Sequence, residues 1–130
     1  VYRIFSIMGS NPINLGVRFI LELIALGAMG MWGWKLSDNW MRFILAIAIP
    51  VIAMFIWGTF AIPDDPSRSG EAPIPVSGLI RLLIECSFFG FAVWIFHDLG
   101  MSRWSIWMGI ITIAHYAFSY DRVIWMLTKV

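Results

Sequence analysis

Four apolar segments of about twenty residues each constrain the fold of this chain more than any other feature. They cover residues 15–35, 40–61, 77–97 and 104–126. A helix needs roughly 20 apolar residues to cross a hydrocarbon core about 30 Å thick. Hydrophobic residues make up 60% of the chain and charged residues only 13%, a composition too apolar for the surface of a soluble domain. We therefore predict an all-α integral membrane protein with one transmembrane domain over 1–130.

The connections between the segments are unequal in length. The first and second segments are joined by the short turn "LSDN", and the third and fourth by "DLGMS". A longer loop over 63–76 contains four prolines and lacks apolar periodicity, as is typical of irregular structure. This pattern predicts a four-helix bundle built from two antiparallel helical hairpins.

The two hairpins share a charged motif. "RFILE" begins at Arg18 and ends at Glu22, and "RLLIE" begins at Arg81, 63 residues later, and ends at Glu85. We interpret the match as an internal repeat. Because two spans separate the equivalent helices, both run in the same direction, and such parallel repeats are related by an axis along the membrane normal. The four charges are therefore predicted to lie at one depth.

The fourth segment adds further polar groups at this depth. It carries Asp121 and Arg122, with His115 about two turns deeper. On a continuous helix, His115, Ser119 and Arg122 share one side, and Asp121 points away from it. Three arginines and three carboxylates then sum to zero charge, as expected where ionisable groups pair inside a bundle. The predicted ligand-binding residues are Arg18, Glu22, Arg81, Glu85, His115, Ser119 and Arg122.

Such a cluster has two interpretations that the sequence leaves open. Ionisable residues within a membrane often mark a functional site. The same pairs could instead only lock the helices together, although buried ion pairs are weak evidence for stability. The candidates for acid–base catalysis are Glu22, Glu85, Asp121 and His115. Neither Glu22 nor Glu85 has a histidine three residues on, so we expect no metal site, and no motif predicts a cofactor.

A stripe of small residues indicates close helix packing. Gly27, Gly30 and Gly33 recur at a spacing of three on the first helix, which lets another helix approach closely. The neighbour could be a helix of the same bundle, a second copy of the chain or a partner subunit. The net charge of +1 argues against nucleic-acid binding, which calls for a clustered basic surface.

Several sequence runs resemble the YrdB-like family of small four-helix bacterial membrane proteins. They are "NLGVRFILELIALGAMGMWGW", "IAIPVIAMFIWGTFAIP" and "VSGLIRLLIECSFFGFAV", and the likeness covers about residues 13–125. The family pattern corresponds to Arg18, Glu22, Pro50, Trp57, Gly58, Arg81 and Glu85. Asp121 and Arg122 resemble the polar residue and arginine that end the family's fourth helix. The resemblance implies a four-helix fold and no particular activity.

The distribution of basic residues predicts an orientation in the bacterial inner membrane. The face with both termini and the long loop carries Arg3, Arg68, Arg122 and Lys129. The opposite face carries Lys35, Arg42 and Arg103. The positive-inside rule therefore predicts termini in the cytoplasm.

Three classes of function fit these features. The bundle could bind or move a small lipophilic or ionic ligand, with the charge cluster orienting its polar end. It could be an acid–base enzyme on a lipophilic, isoprenoid-like substrate, or an accessory subunit of a larger membrane complex. The first class is favoured because the repeat places polar groups around a central axis. Replacing Glu22 with glutamine is then expected to destabilise the bundle or abolish ligand retention.

Overall fold

The computed structural model describes residues 12–63 and 72–128, and within them the protein is all-α apart from one short strand pair. The predictions on Arg3, Arg68, Lys129 and most of the loop fall outside these residues. In chain order the elements are α1 (Pro12–Lys35), α2 (Met41–Thr59), β1 (Phe60–Ala61), β2 (Ile74–Pro75), α3 (Gly78–Asp98), α4 (Ser102–Phe118) and α5 (Tyr120–Thr128).

Within residues 12–63 and 72–128, three helices are long and apolar enough to cross a membrane. They are α1, α2 and α3, with 24, 19 and 21 residues. Large apolar side chains cover much of their outer surface; Phe43, Ile47 and Phe55 of α2, for example, are exposed. A soluble protein rarely exposes so much contiguous apolar surface, and the length and composition of these helices indicate a membrane protein.

The predicted fourth helix over 104–126 is not continuous. It is divided into α4 and α5 at Ser119, whose backbone leaves the helical conformation at φ −97° and ψ 26°. The side chain of Ser119 accepts a hydrogen bond from Asn14, which connects the break to the start of α1. Beyond the break, both Asp121 and Arg122 are buried at the start of α5.

The first and third helices form the centre of the packing. α1 packs against α2, α3 packs against α4 and α5, and α1 and α3 contact each other directly. Every residue of α2 is at least partly exposed, so this helix is peripheral. The core consists of Leu21, Ala25, Ala28, Met29, Phe88, Phe89, Ala92, Ile95, Phe96 and Met108.

Part of the glycine stripe packs within the chain. A Cβ atom added to Gly33 would collide with the backbone of Leu45 in α2, and one added to Gly30 would lie 3.4 Å from the carbonyl oxygen of Ala46. The two glycines therefore permit the close approach of α1 and α2. A Cβ on Gly27 would meet nothing within 4 Å, so an interface with a partner at this stripe remains a prediction for Gly27 alone.

The second helix ends two residues earlier than predicted. Phe60 is extended, with φ −94° and ψ 106°, and Phe60 and Ala61 pair in parallel with Ile74 and Pro75. The predicted loop thus includes a strand at its end. The pairing is extended by the amide of Val76, which donates to the carbonyl of Ala61 at 2.9 Å. Because the helix stops here, carbonyl groups of its last turn need other donors.

Candidate functional site

The carboxylate of Glu85 is the centre of the charge cluster. Its side chain is fully buried, and it accepts hydrogen bonds from three arginines and one tyrosine. The Nε atom of Arg81, one turn earlier on α3, lies 2.8 Å from its Oε2. The spacing of four residues places both side chains on one face of the helix.

The strongest partner of Glu85 comes from the end of the chain. Arg122 of α5 donates from Nη1 to Oε1 and from Nη2 to Oε2, each at 2.8 Å. This two-pronged geometry is the most directional form of arginine–carboxylate pairing. The hydroxyl of Tyr116 in α4 donates to Oε1 at 2.7 Å. Glu85 therefore joins α3, α4 and α5.

Arg81 also binds the free carbonyl groups at the C-terminal end of α2. Its Nη1 donates to the carbonyl oxygens of Trp57 and Phe60, the latter at 2.6 Å. These carbonyls lie at the negative end of the helix dipole, where a cation is stabilising. α2 has no basic residue in its own last turn. An arginine from α3 thus caps this helix from outside.

Arg18 connects α1 to the same centre. Its Nε lies 3.3 Å from Oε1 of Glu22 on its own helix, and its Nη2 lies 3.4 Å from Oε2 of Glu85. Glu22 retains 21% side-chain exposure, against 0% for Glu85. The two glutamates that the repeat makes equivalent thus occupy different environments.

The indole ring of Trp57 contacts two of the arginines. The guanidinium carbon of Arg81 lies 4.5 Å from the ring centroid, and that of Arg18 lies 5.0 Å from it. Cations held over tryptophan in a desolvated site gain up to about 2 kcal/mol each. Trp57 therefore shields the cationic side of the cluster with a polarisable surface.

The other predicted site residues of the fourth segment are also buried. Asp121, expected to point away from the cluster on a continuous helix, is only 3% exposed. Ser119 is equally buried and is bonded to Asn14 at the start of α1. The predicted charge balance of three arginines and three carboxylates is consistent with these buried positions.

His115 lies beside the cluster and lines a separate cavity of about 380 Å³. The residue is 5% exposed, and its Nδ1 atom is buried without a hydrogen-bond partner among the described residues. The cavity walls are Ile13, Asn14, Val17, Ile111, Ala114, His115 and Phe118. His115 and Asn14 are the polar residues of this otherwise apolar wall.

Two groups of the cluster were missed by the sequence reasoning. Tyr116 carried no sequence signal, because nothing local indicates which carboxylate its hydroxyl meets. Trp57 belonged to the family pattern, but without a role. The carbonyl groups that bind Arg81 become available only because α2 ends at Thr59, which the apolar run of that segment does not indicate.

The arrangement defines what Glu85 can do chemically. A carboxylate offers about four lone-pair positions, and five donated hydrogen bonds already converge on Glu85. It can accept little from a substrate without losing an existing partner. Its geometry is that of a fixed counter-ion that holds the helices in register.

Comparison with known proteins identifies the family. A family model described as "Protein of unknown function (DUF2568)" matches residues 16–113. The chain belongs to the DUF2568 family. The DUF2568 chain is also 36% identical over 119 residues to the uncharacterized protein YrdB of Bacillus subtilis (strain 168), covering 92% of this chain and 97% of the relative. The YrdB-like resemblance is thereby confirmed. No solved structure matches this DUF2568 chain.

Tyr116 gives a first test of the cluster in this DUF2568 protein. Tyr116→Phe removes one hydrogen bond to Glu85, and we expect a loss of about 1–3 kcal/mol in the free energy of unfolding, as for bonds to charged groups. Equilibrium unfolding in detergent micelles measures it. Thr112→Val in the same helix is the control, because the Thr112 hydroxyl is buried without a partner in the described part of the chain. An equal loss in both variants would contradict the role given to Tyr116.

Proposed function

We propose that this protein crosses the bacterial inner membrane four times and binds a small amphiphilic ligand in the cavity beside His115. The apolar part of the ligand would contact the cavity wall, and its polar end would contact His115. The charge cluster would hold the helices around this polar end. The single observation that carries the proposal is a cavity between α1 and α4 whose wall is apolar except for Asn14 and His115.

The fourth crossing is supported by the length of α4 together with α5. α4 has 17 residues, about 26 Å at roughly 1.5 Å per residue, and α5 continues beyond the break at Ser119. This is close to the roughly 30 Å of a hydrocarbon core. Four crossings would place both termini on one face together with four basic residues of the sequence, and Lys35, Arg42 and Arg103 on the other. Because the positive-inside rule assigns the more basic face to the cytoplasm, we propose that the termini are cytoplasmic.

The tandem repeat is supported by the burial of equivalent positions. Four of the six buried residues of α1 align with buried residues of α3 at the same offset of 63 that aligns the charged motifs. The aligned pairs are Arg18 with Arg81, Ala25 with Phe88, Met29 with Ala92, and Gly33 with Phe96. The two helices thus share part of their inward-facing surface, which supports two copies of one hairpin.

The charge cluster supports binding rather than catalysis. Glu85 is occupied by five donors, so an enzyme on a lipophilic substrate would have to rely on Glu22, Asp121 or His115. A ligand site needs no group that changes its protonation during a reaction. Small-molecule sites are typically concave, mainly apolar and furnished with a few polar groups, which is the character of the cavity beside His115.

An accessory-subunit function is the second candidate, and α2 favours it. The side chains of Phe43, Ile47 and Phe55 are exposed on a helix that has no buried residue. Such a face could pack against a partner within the membrane. It would equally suit contact with lipid chains, so we rank this function below ligand binding.

Native mass spectrometry of the protein extracted from bacterial membranes tests the binding proposal. We expect a small molecule to co-purify with the parent protein and to be lost from Ala114→Trp, because the indole would fill the cavity. Leu83→Trp is the matched control, since Leu83 lines a different groove of about 450 Å³ between α2 and α3. Retention of the same molecule by Ala114→Trp, or no bound molecule in the parent, would refute the proposal.

A further inference from the structure

We infer that Glu22 is the carboxylate of the charge cluster that takes up and releases a proton, while Glu85 stays ionised. Glu22 would then be a proton-binding site within the membrane. The two glutamates occupy equivalent positions in the two Arg–Glu motifs, but they differ in contacts and exposure. Proton exchange at Glu22 depends on α1 crossing the membrane and not on the cavity beside His115, so either proposal can fail without the other.

The two carboxylates differ in how tightly other side chains hold them. Hydrogen bonds of 2.7–2.8 Å reach the carboxylate of Glu85 from three other side chains. Glu22 contacts the Nε of Arg18 at 3.3 Å, and within the described residues it has no other ion-pair or hydrogen-bond partner. A proton on Glu85 would therefore disrupt several short bonds, whereas a proton on Glu22 would weaken one longer contact.

Arg18 makes the protonated state of Glu22 tolerable, because it has a second carboxylate beside it. Its Nη2 lies 3.4 Å from Oε2 of Glu85, and its guanidinium carbon lies 5.0 Å from the centroid of the Trp57 indole ring. A proton on Glu22 would thus leave Arg18 facing a carboxylate and an aromatic ring. A proton on Glu85 would instead deprive three arginines of their common counter-ion.

Glu22 is partly exposed at a depth where ionised groups are costly. It follows Pro12, the first residue of α1, by ten residues, which is about 15 Å along the helix in a hydrocarbon core roughly 30 Å thick. Its side chain is 21% exposed, against 0% for Glu85. The exposure gives a proton a route to and from this carboxylate, and a neutral carboxyl group suits an apolar surrounding better than an ionised one.

The charged groups within electrostatic range of Glu22 come from two helices. They are Arg18 on its own helix and Arg81 and Glu85 on α3. α2 also packs against α1, but its one charged residue is Arg42, in its first turn. Uptake of a proton by Glu22 would raise the net charge of the cluster by one without displacing an arginine. Carboxylates of this kind within membranes can form part of proton relays.

The fourth helix brings two more titratable side chains to the cluster. The hydroxyl of Tyr116 donates to Glu85, and His115 lies within electrostatic range of Arg18 and Glu85. Within the described part of the chain, neither of them is hydrogen-bonded to Glu22. A proton on Glu22 would therefore not be shared with α4.

Dicyclohexylcarbodiimide, a hydrophobic reagent that reacts with protonated carboxyl groups, tests the inference. The carboxyl O–H adds across one C=N bond of the reagent, and the acyl group then moves from oxygen to nitrogen, so no group leaves. Native membranes that contain the parent protein are treated at pH 6 and at pH 8, and tandem mass spectrometry of peptides locates the adduct. We expect the adduct at Glu22, several-fold more abundant at pH 6 than at pH 8, and little or none at Glu85.

Two variants and a second measurement accompany the labelling. Glu22→Gln resembles the protonated carboxyl group in shape and should lose the adduct, whereas Glu22→Asp keeps a carboxyl group and should retain it. Infrared spectroscopy of the parent should show the carbonyl band of a protonated carboxylic acid, which grows as the pH is lowered and shifts when D₂O replaces H₂O. Glu22→Gln should lack this band.

Three labelling results would overturn the inference. They are the absence of an adduct at Glu22 at both pH values, an adduct at Glu22 that does not change with pH, and an adduct at Glu85 as abundant as that at Glu22. A parent protein without the infrared band would overturn it as well. If Ala114→Trp loses a co-purifying molecule while Glu22 fails these tests, the proposed binding function stands and only the proton site is refuted.

Discussion

Glu85→Gln is expected to destabilise the protein by at least about 3–5 kcal/mol, the cost of removing one partner from a buried ion pair. Here the loss leaves three arginines rather than one without their common counter-ion. Two of them, Arg81 and Arg122, lie within 2.8 Å of the carboxylate. The amide of glutamine keeps one acceptor oxygen, but its NH₂ group would face guanidinium donors. A Glu85→Gln protein that fails to accumulate in folded form in the membrane would agree with this expectation.

Glu22→Gln is the matched control for this experiment. Glu22 occupies the equivalent position of the first motif, but its side chain is 21% exposed and its partner Arg18 also reaches Glu85. We now expect a loss of about 1 kcal/mol or less, as for partly solvated pairs, rather than the larger effect that the sequence alone predicted. Unfolding free energies in the same detergent compare the two variants. Equal losses of unfolding free energy would show that the two glutamates are equivalent and that Glu85 is not the centre of the charge cluster.

Gly78→Ala is expected to cost about 1–3 kcal/mol or more, the range for overpacking a close-packed site. A Cβ atom at Gly78 would collide with the backbone carbonyl of Met126. Gly78 begins α3, and Met126 is a buried residue of α5. Because backbone atoms cannot rotate aside as a flexible side chain can, the two helices would have to separate.

The separation should also weaken the charge cluster, because α5 carries Arg122. Gly90→Ala in the same helix is the control: a Cβ there meets nothing within 4 Å, and alanine favours helix by up to about 1 kcal/mol over glycine. Thermal unfolding of both variants provides the measurement. A Gly78→Ala protein as stable as the parent would disprove the close contact between α3 and α5.

The helices themselves could largely be predicted from the sequence. Their existence follows from long apolar runs, and the pairs Arg18–Glu22 and Arg81–Glu85 follow from a spacing of four residues, since both depend only on the local periodicity of a helix. The end of α2 and the break at Ser119 could not be predicted from local periodicity. Each depends on contacts with distant residues, namely strand pairing with Ile74 and a hydrogen bond from Asn14.

The sequence by itself determined that this chain forms apolar helices and that two of them carry an arginine and a glutamate on one face. The sequence could not determine which glutamate becomes the centre of the charge cluster, because the two motifs are locally the same. Only the tertiary structure decided this. Tyr116 and Arg122 reach Glu85 because α4 and α5 pack against α3, and glycine at position 78 allows the chain's end to approach. A partner that arrives from elsewhere in the chain leaves no local signal at the residue it binds.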